Sequence, residues 1–445
     1  MKRIFCIFLI LALLLSAAGC GEGSRMDPET DPAGSLSGTG AEVSGTGAQD
    51  PGDAPAVTLL TRGMEAEAGR AGDAAETSYA AVGDLGRKLL PFVAGENPVV
   101  SPLSVYVALS MAAEGADGVT AEEFDALLGS DAETRSQALR DLFALLDLLS
   151  DGKNELTLSD SVWVDPDAEI REEYLRKLAG SYRAEGFSGR LSSENATKAM
   201  NDWVKEKTQG KIPELFSKPL DPDTVLVLIN ALYFKGAWRT PFNTNATRDG
   251  TFHTSDGRKV TVPFMHSSEE SFQYLTSGDF AGVCLPFEGA PGKSAKMVLL
   301  LPRDIDVRAL AEKMDGETLA SLSGKEKCVD LSLPSFTSES GLDLKEILPG
   351  LGLASAFDPY SADFSRMGAG PSGGRLFIGS AGGKVRLAVD ENGAEGAAAT
   401  FVGMEWECEP DPAVVLTFDQ PFFYAVLDGA TGVPLFTGIV TDPSL

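Results

Sequence analysis

The sequence predicts an α+β fold, with helices concentrated in the first half of the chain and strands in the second. Residues 81–93 repeat apolar side chains at helical spacing, and residues 102–114 are apolar on nearly all sides, as a buried helix requires. Residues 224–234 are too continuously apolar for an edge strand and predict a central one. Because strands and helices do not alternate along the chain, we expect α+β packing rather than a parallel α/β sheet.

The remaining elements follow from local signals in chain order. Ser101 before Pro102 predicts a helix start with proline in the first helical position. Amphipathic patterns predict helices at 121–128 and 134–149, and charged surface helices at 170–179 and 196–208. The other predicted strands are 157–164, 259–265, 297–301, 329–334, 384–389, 414–418, 422–427 and 435–440.

Composition limits the possible functions. The 445 residues are 43% hydrophobic, enough for one large core or two ordinary ones. The formal net charge of −28 argues against nucleic-acid binding, because phosphate contacts require clustered Lys and Arg. We interpret the acidic surface mainly as a source of solubility, with steering of basic partners as the alternative.

The N-terminus has the pattern of a targeting segment. Lys2 and Arg3 precede an apolar run over residues 4–15 that is too short for a permanent membrane span. The following residues resemble a bacterial lipobox, so residues 1–19 are expected to be a signal peptide and Cys20 to carry lipid. Residues 20–76 are rich in small and acidic residues and predict a disordered tether. The expected location is the extracellular face of the bacterial membrane, with secretion as the alternative.

Three cysteines remain in the rest of the chain. The spacing of Cys284, Cys328 and Cys408 fits no metal pattern, and no metal or other cofactor is expected. Cys284 lies in the apolar run 283–287 and is expected to be buried. The sequence leaves open whether two of the three form a disulfide.

Residues 389–400, Val-Asp-Glu-Asn-Gly-Ala-Glu-Gly-Ala-Ala-Ala-Thr, form a tract of unusually small side chains. In a strand its residues would alternate between two faces. One face would carry Ala394, Gly396, Ala398 and Thr400, and the other Glu395, Ala397 and Ala399. The first set is small enough to slide between two packed strands. The alternative is a flexible Ala/Gly loop.

Several blocks, in order along the chain, resemble motifs of the serpin family. They include Asn-Pro-Val-Val-Ser-Pro-Leu-Ser-Val at 97–105 and Val-Leu-Ile-Asn-Ala-Leu-Tyr-Phe-Lys-Gly-Ala-Trp at 227–238. The other blocks are at 201–212, 351–365, 418–423 and 432–443, and the small-residue tract is similar to the serpin hinge. The resemblance covers residues 77–445 without a large gap.

The resemblance implies a serpin domain over residues 77–445, with three β-sheets, eight or nine helices and an exposed reactive-centre loop at about 391–412. It implies a suicide-substrate inhibitor of serine-type or, alternatively, cysteine-type endopeptidases. The cleaved loop would insert into the central sheet while it carries the acyl-enzyme. The protein is then not an enzyme but a monomer with a tendency to polymerise. The alternative is a non-inhibitory serpin that acts as a surface binding or scaffold protein.

The resemblance also assigns roles within the loop. Glu391 and Gly393 match the hinge, and the small residues from 394 to 400 would enter the sheet without a Pro or a large side chain to delay them. In serpins the scissile carbonyl usually follows the first hinge Glu by sixteen residues, which gives Glu407, with Cys408 after the cut. Trp406 and Met404 are the other candidates.

Each candidate for the scissile residue implies a different protease. Glu407 would suit a glutamate-specific enzyme, Trp406 a chymotrypsin-like one and Met404 an elastase-like one. No Arg or Lys lies between Glu391 and Pro421, which disfavours trypsin-like targets.

A second set of residues resembles the serpin cluster beneath the sheet opening. Ser101, Ser104 and Asn230 match that cluster, but Gly383 stands where many serpins have His. We therefore predict easier sheet opening and faster spontaneous conversion to a latent or polymeric form.

One motif suggests a hydrolase instead. Residues 370–374, Gly-Pro-Ser-Gly-Gly, match the GxSxG pattern, which would make Ser372 a nucleophile with His266 as its partner. That motif requires a strand before it and a helix after it. Because it lies here in a Gly-rich turn, we favour a chance match.

Overall fold

The computed structural model describes residues 8–17, 57–70, 76–150, 154–210, 212–289, 294–394 and 414–445. Its helices are α1 (Glu76–Leu89), α2 (Pro102–Ala113), α3 (Gly118–Leu128), α4 (Ala132–Leu146), α5 (Glu172–Tyr182), α6 (Glu194–Lys207), α7 (Val307–Ala311), α8 (Gly316–Ser321) and α9 (Leu344–Ile347). Short 3₁₀ turns lie at Leu90–Phe92, Asp147–Leu149, Leu348–Leu351, Ser355–Phe357 and Pro371–Gly373.

The strands group mainly in the second half of the chain. They are β1 (Phe8–Ala17), β2 (Thr58–Leu59), β3 (Val99–Val100), β4 (Glu155–Val164), β5 (Glu169–Ile170), β6 (Glu185–Ser188), β7 (Thr224–Ala237), β8 (Arg248–His253), β9 (Lys259–Thr276), β10 (Phe280–Pro286), β11 (Lys296–Pro302), β12 (Lys325–Pro334), β13 (Phe336–Asp343), β14 (Gly368–Ala369), β15 (Leu376–Asp390), β16 (Gly393–Ala394), β17 (Val414–Thr417), β18 (Phe422–Leu427) and β19 (Pro434–Val440). These strands form three sheets, and nine α-helices lie in the described ranges, which confirms the predicted α+β architecture.

The central sheet has eight strands and carries the hinge. Across it run β13, β15, then β1 and β16, followed by β7, β4, β6 and β2. Both β1 and β16 lie between β15 and β7 and are antiparallel to each. We call the position between β15 and β7 the slot. In the full chain, part of the predicted signal segment thus forms a strand in the slot.

The second sheet has nine strands in the order β17, β12, β9, β10, β11, β18, β19 and β3, with β8 paired to β9. The inner strand β18 is buried throughout and β11 is buried over Met297 to Leu300, and Leu299, Leu300 and Tyr424 have no measurable exposure. The third sheet is the short pair β5 and β14.

Helix α2 lies in the core, as its apolar sequence predicts, and all twelve of its residues are buried. Pro102 occupies the first turn as predicted, but the Ser101 hydroxyl does not cap the helix. It donates instead to Ser104 Oγ, at 3.3 Å.

The last part of the predicted tether is bound to the domain, which corrects the expectation of a disordered segment for residues 57–70. Strand β2 pairs with β6 at the edge of the central sheet. Farther along, the Glu67 carboxylate lies 2.8 Å from the buried guanidinium of Arg140, and the backbone N–H of Arg70 donates to Asp141 Oδ1. Because Arg140 is 9% exposed, Glu67 neutralises a charge that would otherwise be costly to bury.

Some strands were not predicted because their buried positions are polar. In β13, buried and exposed residues alternate regularly from Phe336 onward. However, Ser338 and Ser340 occupy two of its buried positions. A search for alternating apolar residues therefore does not detect this strand, although its period is that of a half-buried strand.

Candidate functional site: the hinge and the central sheet

The hinge is a tight turn that joins β15 to β16. The backbone N–H groups of Asn392 and Gly393 donate to Asp390 Oδ1, at 2.8 and 3.3 Å. Asp390 is 5% exposed, and burial raises the pKa of its carboxyl, partly offset by these N–H groups. The turn is therefore held by one buried carboxylate.

Gly393 occupies a position that only glycine fits. Its φ of 149° lies in a region that side chains disfavour, and an added Cβ would lie 1.9 Å from the carbonyl oxygen of Gly236. The predicted role of Gly393 as a hinge glycine thus has a physical basis in its close approach to β7.

Trp238 fastens the hinge to the end of β7. Its indole Nε1–H donates to the carbonyl of Asp390, and its backbone N–H donates to that of Asn392, both at 2.9 Å. The ring stacks on Phe287 with centroids 4.6 Å apart. Glu391, the first hinge residue, accepts a 2.7 Å hydrogen bond from the Thr247 hydroxyl. The start of the predicted loop is therefore tightly anchored.

Ala394 begins a strand in the slot. It pairs with Val389 of β15 and with Gly236 of β7, and it has no measurable exposure. This agrees with the predicted alternation, which puts Ala394 on the face of small residues. The rest of the predicted loop lies outside the described residues, including Glu395, Gly396, Ala397, Ala398, Ala399, Thr400, Met404, Trp406, Glu407 and Cys408.

The chain is described again at β17, which runs parallel to β12 in the second sheet. The two ends of the predicted loop therefore belong to different sheets. Ala394 is bound in the central sheet, whereas Val414 pairs with Val329 of β12.

Register places two of the predicted sheet-opening residues in one row. Val389 and Gly236 share a row through Ala394. Six residues back along each strand lie Gly383 in β15 and Asn230 in β7, and both pair with Leu11 of β1. Gly383 and Asn230 therefore face each other across the slot.

The third member of this row was missed at the sequence level. Asp160 of β4 lies directly opposite Asn230 and accepts a 2.8 Å hydrogen bond from its Nδ2. The alternation of strand 157–164 contained the signal, because Asp160 stands between Leu158 and Val162 on the apolar face. Ser101 and Ser104 are fully buried, bonded to each other, at the start of α2.

The residues of the hydrolase hypothesis lie in unsuitable surroundings. Ser372 sits in a 3₁₀ turn that leads into strand β15, where the motif requires a helix. His266 lies in β9 of the second sheet, and its Nδ1 is 2.9 Å from Ser332 Oγ.

The cysteines occupy separate strands. Cys284 of β10 is 6% exposed, and burial raises the pKa of its thiol to about 11. Cys328 lies in β12, on the other side of β9. The predicted burial of Cys284 is confirmed, and Cys408 lies outside the described residues. In the described ranges, no group of three or more His, Cys, Asp or Glu could hold a metal ion. None of the helices described is long and apolar enough to cross a membrane.

The chain matches the family model for serpins, described as serine protease inhibitors, over residues 82–443. It belongs to the serpin family. Serpin-ZXA of Oryza sativa subsp. japonica is 35% identical over 366 residues, which cover 79% of this chain and 91% of the relative. An uncharacterised serpin-like protein of Thermococcus kodakarensis is 33% identical over 79% of this chain and 82% of its own.

Solved structures agree with the family assignment. The thermophilic serpin tengpin in its native state aligns with a TM-score of 0.77 and 27% identity, over 87% of this chain and 99% of tengpin. Tengpin in its latent state aligns with a TM-score of 0.70 and 28% identity, over 83% of this chain and 99% of tengpin. The serpin fold predicted from the resemblance is thereby confirmed, and protease inhibition is the general function of the family.

Proposed function

We propose that this serpin is a suicide-substrate inhibitor of serine-type endopeptidases and that it traps the acyl-enzyme by inserting the cleaved loop into the slot. One observation carries the proposal: a strand already begins at Gly393–Ala394 between β15 and β7. A loop cut beyond residue 400 can extend this strand without any change in the hinge.

The chemistry requires only the protease's own nucleophile. Its serine attacks the scissile carbonyl, an ester bond forms, and the peptide bond breaks to release the new N-terminus. The residues after Ala394 then gain ladder hydrogen bonds and burial in the slot, which releases the strain of the uncut form. Insertion before water attacks the ester displaces the protease and traps it.

The N-terminal segment fits this sequence of events. We propose that residues 1–19 are removed as a signal peptide and that Cys20 then carries lipid. Removal would take β1 out of the slot and leave room for the loop. The lipid would hold the inhibitor at the extracellular face of the membrane, with secretion as the alternative.

The loop sequence favours proteases of non-basic specificity. Glu407, followed by Cys408, is the first candidate for the scissile residue, and Trp406 and Met404 are the alternatives. Glutamate-specific, chymotrypsin-like and elastase-like serine proteases are therefore the proposed targets. Cysteine proteases are the alternative class.

The test is to mix the full chain, purified in detergent as the cell processes it, with one protease of each specificity. Denaturing gels and mass spectrometry should show a covalent species near the summed mass and a new N-terminus between Met404 and Pro410. Cleavage in that window without a covalent species would contradict the proposal. The surface scaffold would then be favoured, and a lack of gain in heat stability after cleavage would support it.

A further inference from the structure

Asp160 is a carboxylate inside the apolar core beneath the central sheet. It is 3% exposed, in a strand whose neighbours on the same face are Leu158 and Val162. Together with Phe143 and Leu146 of α4, Asp160 lines a small cavity of about 30 Å³. A carboxylate in such surroundings is costly unless it is protonated or paired with a cation.

The charged groups nearest this cavity serve other partners. Arg183 and Asp147 line it but bond to each other at 2.9 Å, and both are partly exposed. Tyr182, at the end of α5, donates its hydroxyl to Glu114 at 2.8 Å. The Asp160 carboxyl is left with the amide of Asn230, which is neutral.

Only one of the two polar groups of the Asn230 side chain has a hydrogen-bond partner among the described residues. Its Nδ2 donates to Asp160, but its Oδ1 is buried and has no hydrogen-bond partner among the described residues. A buried polar atom without a partner is uncommon and costly. A proton on Asp160 would supply the missing donor, because a carboxylic acid and a primary amide can exchange two hydrogen bonds.

We propose that Asp160 and Asn230 form a proton-dependent latch that holds β4 to β7 and makes the stability of the folded domain depend on pH. In the protonated form, the acid O–H donates to Asn230 Oδ1 while the amide N–H donates to the acid carbonyl. In the ionised form, the proton passes to solvent, one bond is lost and a charge remains in the core.

The direction of the pH effect follows from the burial. Burial raises the pKa of Asp160 to about 7, with the Asn230 hydrogen bond lowering it in part, whereas an aspartate in water titrates near 3.9. The folded protein therefore binds this proton more tightly than the unfolded chain. Its advantage is full below about pH 4, and it falls as the pH rises toward 7.

The test compares urea unfolding of the full chain between pH 5.5 and pH 8.5, followed by tryptophan fluorescence. We expect the wild-type midpoint to fall from pH 5.5 and to level off above about pH 7. Asp160→Asn, which keeps the shape and carries no charge, should flatten the profile and exceed the wild type at pH 8.5. Asp428→Asn, at a buried aspartate in the turn between β18 and β19, is the matched control and should keep the wild-type slope.

Two outcomes would overturn the latch. The first is an Asp160→Asn profile parallel to that of the wild type. The second is a profile flattened by the double change His253→Gln and His266→Gln, since histidine is the other side-chain type that titrates in this range. If Asp160→Asn fails to fold, infrared spectra of the wild type decide the matter. A protonated-carboxyl band must then be present at pH 5.5 and lost by pH 8.5.

Discussion

The central sheet and the second sheet are of similar size but are built differently along their middle rows. In the second sheet, strands β11 and β18 meet through fully buried Met297 and Val426. In the central sheet, one row contains Asp160, Asn230 and Gly383. Apolar rows gain free energy from close packing, whereas a row of glycine and half-satisfied polar groups gains little. The second sheet is thus stabilised to remain closed, whereas the central sheet is suited to part.

The aromatic residues reinforce this difference. Phe418, Phe422, Phe336 and Tyr424 form a chain of ring contacts with centroids 5.1 to 5.7 Å apart. This cluster packs the start of β18 against the start of β13 and the residue that follows β17. At the end of the slot, Trp238 after β7 stacks on Phe287 after β10, and Trp238 holds the hinge.

The largest effect is expected from Ala394→Arg, which places a charge at the start of the strand in the slot. A charge at this fully buried position cannot enter the slot without a large desolvation cost, so insertion should stall while cleavage continues. We expect complete loss of the covalent complex on denaturing gels and full conversion to cleaved product. Ala354→Arg, at an exposed position, is the matched control and should form complex normally. Equal complex formation by both variants would contradict a role of Ala394 in insertion.

A substitution in the second sheet should lower the free energy of unfolding without changing the fraction of protease that is trapped. Leu299→Ala removes a fully buried side chain and should lower the free energy of unfolding by about 3 kcal/mol, measured by urea titration. The ratio of complex to cleaved product should stay at the wild-type value. Leu301→Ala, on the same strand but partly exposed, should cost clearly less. A large change in that ratio for Leu299→Ala would show that the two sheets are coupled.

Gly383→His tests whether the glycine in the row with Asn230 eases opening of the central sheet. Gly383 faces Asn230 across the slot. Above pH 7, where Asp160 is ionised and Asn230 Oδ1 lacks a donor, an imidazole at position 383 could donate to that oxygen when the slot closes. One such hydrogen bond is worth about 1 kcal/mol, which should raise the thermal midpoint by about 2 °C. An unchanged or lower midpoint would contradict the prediction that the glycine eases sheet opening.

The smallest effect is expected at the edge of the central sheet. Glu67→Gln removes the partner of Arg140, but Glu67 is 57% exposed, so the loss should remain below about 1 kcal/mol. The loss should shrink as salt is added. Glu173→Gln, an exposed change on α5, is the control. A loss above 2 kcal/mol would contradict the small contribution expected of this partly exposed ion pair.

Much of the fold could be read from the chain because the signals are local. The apolar helix α2, the buried strand β7 and the small-residue tract each carry their own pattern. Strand β13 was missed because serines fill its buried positions, and residues 57–70 were missed because their contacts are made with distant residues such as Arg140. Composition alone predicts a disordered tether, because it carries no information about contacts with residues elsewhere in the chain.

At the candidate site, the tract of small residues predicted the inward position of Ala394. The resemblance to serpins pointed to the hinge at Gly393 and to Asn230 and Gly383. The hydrogen bond between Asp160 and Asn230, 70 residues apart and in a row with Gly383, emerges only in the folded chain. Its cause is register, because pairing between strands is non-local and a shift of one residue would turn every one of these side chains to the opposite face.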